Sequence, residues 1–185
     1  MSEKREQLES IATAAVQRGG LRNLSFRNLA DQVGVKSSSV HYYFPEKSHL
    51  AAALIARYSA EFALALDAID AEKKGVLKKL DAFVKLFEDA LKNGKFCLCG
   101  MMAAEVESLD AANRAALGNY FLHTEEWLTG VVCAGQADSD ARARVIARTI
   151  LSGLEGAILI DRVSGQRQHV KAQRELIRLL VSEND

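Results

Sequence analysis

Apolar residues return at intervals of three and four along nearly the whole chain, the spacing of one helical face after another. Strand-like alternation is scarce, and a single proline, Pro45, interrupts 185 residues. Leu8, Ile11, Ala12, Ala15 and Val16 mark a first helix that ends near Gly19. Phe26, Leu29, Ala30 and Val33 mark a second, with Ser25 placed to cap its first turn and Gly34 where the chain must reverse. Ser37 is placed to cap a third, very short helix whose buried contacts are Val40 and Phe44. Pro45 and Glu46 open a long helix striped by Leu50, Leu54, Tyr58, Phe62, Ala65, Leu66 and Ile69, and residues 70–75 form the turn after it. Five helices follow: Val76 to Leu91, stopped at Asn93-Gly94; a stretch from near Phe96 to about Leu109; residues 111–132; residues 141–163; and residues 167–181. Residues 135–140, GQADSD, read as a loop in which Asp138 or Ser139 caps the next helix. The expected fold class is all-α.

The third helix is the informative one. Ser38, Ser39, His41, Tyr42 and Tyr43 leave it polar or amphipathic on most sides, so it buries little and displays many donors. Two short helices joined by a tight turn, the second of this kind, fit a helix-turn-helix module, which sets such a helix in the major groove of DNA.

Around this module stand Ile11, Ala14 and Ala15, then Gly19-Gly20, Ser25, Leu29-Ala30, Gly34-Val35, Phe44 and Lys47. Their order and spacing follow I-x-x-A-A, a glycine, T-x-x-x-I-A-x-x-x-G-V-S and Y-x-H-F-x-x-K. On these residues, within the first 50 of the chain, it resembles the TetR family of bacterial transcriptional repressors. It departs from the pattern at Lys36, where Ser is usual, at Ser38 (Gly), at His41 (Tyr) and at Tyr43 (His). All four lie on or beside the third helix, so the choice of operator does not carry over. The resemblance implies a three-helix DNA-binding domain over residues 1–48, joined through the long helix to a larger ligand-binding and dimerisation domain over 49–185. It also implies a homodimeric repressor that binds a palindromic operator on double-stranded DNA and is released by a small-molecule effector.

Composition changes this picture little. At 49% hydrophobic residues the chain can bury a substantial core. Its 24 basic and 24 acidic residues cancel, and residues 1–50 hold seven Lys/Arg against five Asp/Glu. DNA affinity must therefore come from local placement rather than bulk charge. No apolar run approaches the roughly 20 residues that span a bilayer, no signal-peptide pattern opens the chain, and three cysteines fit a reducing cytoplasm. There is no G-x-S-x-G elbow, P-loop, dinucleotide fingerprint or H-E-x-x-H, so neither an enzyme nor a cofactor is expected. The histidines at 41, 49, 123 and 169 are scattered, and Cys97-x-Cys99 lacks the spacing of zinc knuckles, so no metal is expected.

At the DNA end, Arg27 and Lys47 bracket the third helix and suit phosphate contacts, as do Tyr42 and Ser25. Lys36, Ser37, Ser39 and His41 are candidates for the groove floor, since Lys and His can donate to guanine acceptors and Ser is permissive. Lys4 and Arg5 are placed to reach a flanking minor groove.

In the remainder, aromatic and soft side chains concentrate, and the family resemblance puts an effector pocket among them. Its candidate residues are Phe62, Phe83, Phe87, Cys99, Met102, Tyr120 and Trp127, with Glu105 and His123 to orient a ligand. Gly153 and Ala157 permit close backbone approach, and Leu154, Ile158, Leu176 and Leu180 supply apolar area, which together suggest a four-helix dimer interface. A rival reading makes Cys97 and Cys99 thiol sensors of oxidants or electrophiles, with Cys133 as partner. Rivals of another class are a helical protein–protein adaptor or a small enzyme without DNA binding.

Overall fold

A computed structural model of the chain describes residues 3–135 and 140–182. Its elements are α1 (Glu3–Gly19), α2 (Phe26–Val33), α3 (Ser37–Tyr43), α4 (Lys47–Glu72), α5 (Val76–Lys92), α6 (Leu98–Ala103), a 3-10 turn (Val106–Ser108), α7 (Ala111–Cys133), α8 (Asp140–Ser164) and α9 (Gln168–Ser182). The fold is all-α. Asp138 and Ser139, the expected caps of α8, lie outside the described residues. Among the described residues no helix is long and apolar enough to cross a membrane. Two compact units form: Met1–Glu61 with Cys97–Asn119, and Phe62–Phe96 with Tyr120–Asp185. The first therefore takes in more of the chain than residues 1–48.

In the first unit, Leu8, Ala12 and Val16 of α1 are fully buried with Leu29 of α2, Val40 of α3, Leu50 and Leu54 of α4, and Leu98 and Met102 of α6. The buried Glu9 is neutralised on the surface side by Arg5 Nε at 2.9 Å. The expected single helix over 96–109 is broken. Glu105 leaves the helical backbone at φ −115°, ψ 26°, and its Oε2 accepts the Arg22 amide at 2.9 Å. Ser108 Oγ donates to the Glu105 carbonyl at 2.7 Å and tightens the 3-10 turn that follows. Lys47 Nζ donates to the Leu21 and Arg22 carbonyls of the same α1–α2 turn at 3.0 and 3.2 Å. Residues 20–22 are thus fastened by side chains from two directions.

Gly20 makes that fastening possible. Its φ is +83°, and a Cβ there would meet the Glu105 carboxylate. Gly20→Ala is expected to cost about 1–3 kcal/mol, from left-handed strain plus displacement of Glu105. Thermal denaturation checks this, and an unchanged melting temperature would contradict it.

In the second unit α5 packs on α8 and α9, and α8 on α9. Arg174 of α9 pins α5 by reaching Asp81 at 2.7 Å and Glu88 at 3.0 Å. Asp161, buried in α8, receives the first-turn amides of α9, His169 N at 3.1 Å and Val170 N at 3.0 Å. His169 Nδ1 also lies 2.7 Å from Asp161 Oδ1. Burial would raise the pKa of this carboxyl, but the Val170 amide and the ring and amide of His169 outweigh it and hold it below the usual range. A group with a lowered folded-state pKa binds fewer protons folded than unfolded. Its stabilisation is therefore present above the ordinary carboxylate pKa of about 3.9 and is lost as pH falls through the lowered value. Asp161→Ala should cost about 2–4 kcal/mol by leaving two amides without an acceptor. It should also flatten the acid limb of the stability profile, which thermal melts at stepped pH would measure.

Candidate functional site

The α2–α3 module is set by local chemistry. Ser25, in extended backbone, accepts the Asn28 amide on its Oγ at 3.0 Å and caps α2. Gly34 stops α2 in the left-handed region (φ 71°, ψ 38°), and the Val35 amide closes back to the Ala30 carbonyl at 3.0 Å. Helix α3 then starts at Ser37 with Lys36 at the cap position and no side-chain cap bond. The expected Ser37 cap is thus corrected: Ser37 is already helical, and its hydroxyl is left for other partners. Val40 and Phe44 are buried and anchor α3 from behind.

The residues foreseen for DNA contact lie on or beside α2 and α3 and differ in exposure. Arg27, Lys36, Ser37, His41 and Tyr42 are exposed, with Ser25 and Ser39 partly so. Tyr42 stands out at 81% exposure, its ring edge-on to Tyr43 at 5.1 Å. His41 is less free than expected. Its ring packs edge-on against Phe26 at 4.9 Å, and Nδ1 lies 3.3 Å from the Pro45 carbonyl. Lys47 changes role most: the α1–α2 turn takes two of its N–H donors, leaving one for a phosphate. Lys4 and Arg5 do not form an arm. The chain is helical from Glu3, a helix is too wide for the minor groove, and Arg5 lies over the Phe44 ring at 5.4 Å.

The residues foreseen for an effector separate into three groups. Phe62, Phe83, Phe87, Tyr120 and Trp127 form one aromatic cluster in the second unit. Phe83 lies 6.2 Å from Phe62, 5.4 Å from Phe87 and 5.6 Å from Trp127, and Tyr120 lies 5.3 Å from Phe62. Cys99, Met102 and Glu105 belong instead to the first unit. Cys99 and Met102 are core there, and Glu105 is the fastener of the α1–α2 turn. His123 is exposed on α7, so it does not orient anything within a buried pocket. What the sequence reading missed is the polar edge of the cluster. The indole Nε1 of Trp127 donates to Asp70 Oδ2 at 2.9 Å, and Lys79 Nζ donates to Asp70 Oδ1 at 2.5 Å. Asp70 and Lys79 sit nine residues apart around a turn, and no periodicity marks such a pair.

Cys97 and Cys99 are structural. Cys97 and Cys99 are buried, and Cys97 Sγ caps α6 by accepting the Gly100 amide at 3.3 Å. That removes the exposure a sensor thiol requires. Cys133 lies in the other unit, its thiol 3.7 Å from Asp140 Oδ1.

The residues foreseen for dimerisation are mostly covered by the chain itself. Leu154, Ala157 and Ile158 are buried within the chain, and Gly153 is closed by Gln173 of α9, so this side of α8 is already covered. At about 100° per residue, Val145, Thr149, Ser152, Gly156, Ile160 and Val163 lie on the opposite side. Val145 is 62% exposed and Val163 89%. On α9, Leu176 and Leu179 are exposed and Leu180 is partly buried. α8 and α9, which pack on each other, thus both carry uncovered apolar residues.

An exposed polar helix held out by a capped turn, with a second helical unit carrying an aromatic cluster, defines a helix-turn-helix transcriptional regulator. The family model described as bacterial regulatory proteins, tetR family, matches residues 10–54. The model described as transcriptional regulator LmrA/YxaF-like, C-terminal domain, matches residues 76–175. The chain belongs to the TetR family of bacterial regulatory proteins. Among solved structures, a TetR transcriptional regulator from Legionella pneumophila is similar with a TM-score of 0.92 at 26% identity, over 98% of both chains. A TetR-family regulator from Agrobacterium tumefaciens is similar in fold with a TM-score of 0.89 at 23% identity, over 96% of this chain and 97% of that one. No curated protein sequence matches.

Proposed function

We infer that this regulator is a homodimeric repressor that binds a palindromic operator and is released by a small molecule bound in its second unit. Residues 1–48 act as the DNA-binding domain and 49–185 as the ligand-binding and dimerisation domain. The observation that carries this is α3. It buries Val40 and turns Lys36, Ser37, Ser38, His41 and Tyr42 outward, with no acidic residue along its length. Arg27, Ser25, Tyr42 and the remaining donor of Lys47 hold phosphates, and Lys36, Ser37, Ser39 and His41 face base edges.

One module makes too few contacts to compete against a genome, so two are needed, about one helical turn apart or slightly more. The uncovered stripe of α8 and α9 supplies the pairing. A ligand in the aromatic cluster releases DNA to the extent that it binds better to the state in which the two α3 helices are wrongly spaced. The test is binding to fragments of the host genome at two salt concentrations. A repressor gives saturable, sequence-selective binding that weakens steeply with salt. Weak binding that ignores sequence would reject this reading, and a helical adaptor or small enzyme would bind none.

A further inference from the structure

The second unit contains a cleft of about 450 Å³ lined from the end of α4, the start of α5 and the C-terminal half of α7. That is the size of a small-molecule site. Val76, Val131 and Ala134 make its apolar wall, and Trp127 makes its aromatic one. The indole is held on two sides, by Asp70 on its N–H edge and by Phe83 stacked at 26°. The hydrogen bond from Lys79 outweighs burial and, with that from Trp127, holds the Asp70 carboxyl below its usual range. Asp70 is therefore a carboxylate at neutral pH, and both of its oxygens are engaged.

Charge then selects the ligand. A cation would have to displace Lys79 or the indole N–H from Asp70. It would do so near Lys73, Lys74 and Lys78, with Glu72 already paired to Lys73 at 3.4 Å. An anion meets the opposite situation. Asp70 takes one of the three N–H groups of the Lys79 ammonium, and an arriving acid can accept from the others without breaking the pair. A flat ring attached to that acid would lie along the indole and cover Val76 and Val131. We propose that this cleft binds a planar aromatic anion, its ring against Trp127 and its acidic group on Lys79. The proposal rests on the effector reading above and names the ligand class.

Trp127 is the only tryptophan in the chain, so energy transfer has one donor, and the Lys79 variants assign the binding to this cleft. The probes are 1-anilinonaphthalene-8-sulfonate and N-phenyl-1-naphthylamine, which differ only by the sulfonate. On the full-length protein, tryptophan-sensitised emission should give about tenfold tighter binding of the sulfonate. Lys79→Met should bring the two probes to about equal affinity, whereas Lys79→Arg and Lys78→Met should keep the preference. If Lys79→Met does not fold, Lys79→Gln is read in its place. Equal affinities in the wild type, or a preference that survives loss of the Lys79 charge, would overturn the proposal. The same probes are then added to the protein bound to its DNA. Lys79-dependent binding that leaves DNA affinity unchanged supports the ligand class and contradicts the effector reading. Release of DNA by a compound that does not displace the sulfonate supports the effector reading and overturns this site.

Discussion

Leu179→Glu should convert a dimer into monomers. Leu179 is 63% exposed on α9 and belongs to the apolar stripe that α8 and α9 leave uncovered. In a two-fold interface each substitution is met twice, so two carboxylates would be desolvated without partners. That costs about 4 kcal/mol or more, roughly a thousandfold in the dimerisation constant. The isolated chain should fold as before, because the side chain is already in water. Sedimentation velocity reads the outcome, and DNA affinity should collapse with the dimer. The control is Leu64→Glu on α4, where an apolar side chain is 69% exposed but lies outside this stripe. It should leave the mass unchanged. Dimers that survive Leu179→Glu would move the interface elsewhere.

Tyr42→Ala should produce the second large effect, and on a different quantity. The hydroxyl of a tyrosine 81% exposed on α3 is free to donate to a backbone phosphate. A hydrogen bond to a charged group contributes about 1.5–3 kcal/mol, and a dimer makes the contact twice. Operator affinity should therefore fall by about a hundredfold or more, which fluorescence anisotropy on a labelled duplex would measure. Thermal stability should stay within about 0.5 kcal/mol, since little packing is lost. Unchanged operator affinity would remove Tyr42 from the contact set.

The helices and the DNA-reading module were legible because each rests on neighbours in sequence. Ser25, Gly34, Val40 and Phe44 act within a few residues of one another, and their spacing carries the turn directly. The uncovered side of α8 was not legible for a physical reason. Helix α8 is apolar on two opposite sides, and periodicity does not say which side the same chain covers. Small residues at 153 and 157 suggested one side, but Gln173 and the core occupy it. Glu105 was misplaced for a similar reason. Its partner, the Arg22 amide, lies 83 residues away, and a carboxylate that receives a backbone N–H looks in sequence like any other. The aromatic residues that form the cluster of the second unit were legible by residue type. Asp70 was read only as part of the turn over residues 70–75, and Lys79 fell within the next helix with no role assigned.

In the proposed complex α3 enters the major groove, and two copies do so together. Hydroxyl-radical and dimethyl-sulfate footprinting on the DNA that this protein selects tests it directly. The expected result is two equivalent protected patches related by a dyad, centred about one helical turn apart or slightly more, with guanine N7 shielded in each. Protection should vanish when Lys36, Ser39 and Tyr42 are all replaced by alanine. A single patch without a dyad, or a footprint unchanged in that triple variant, would contradict it.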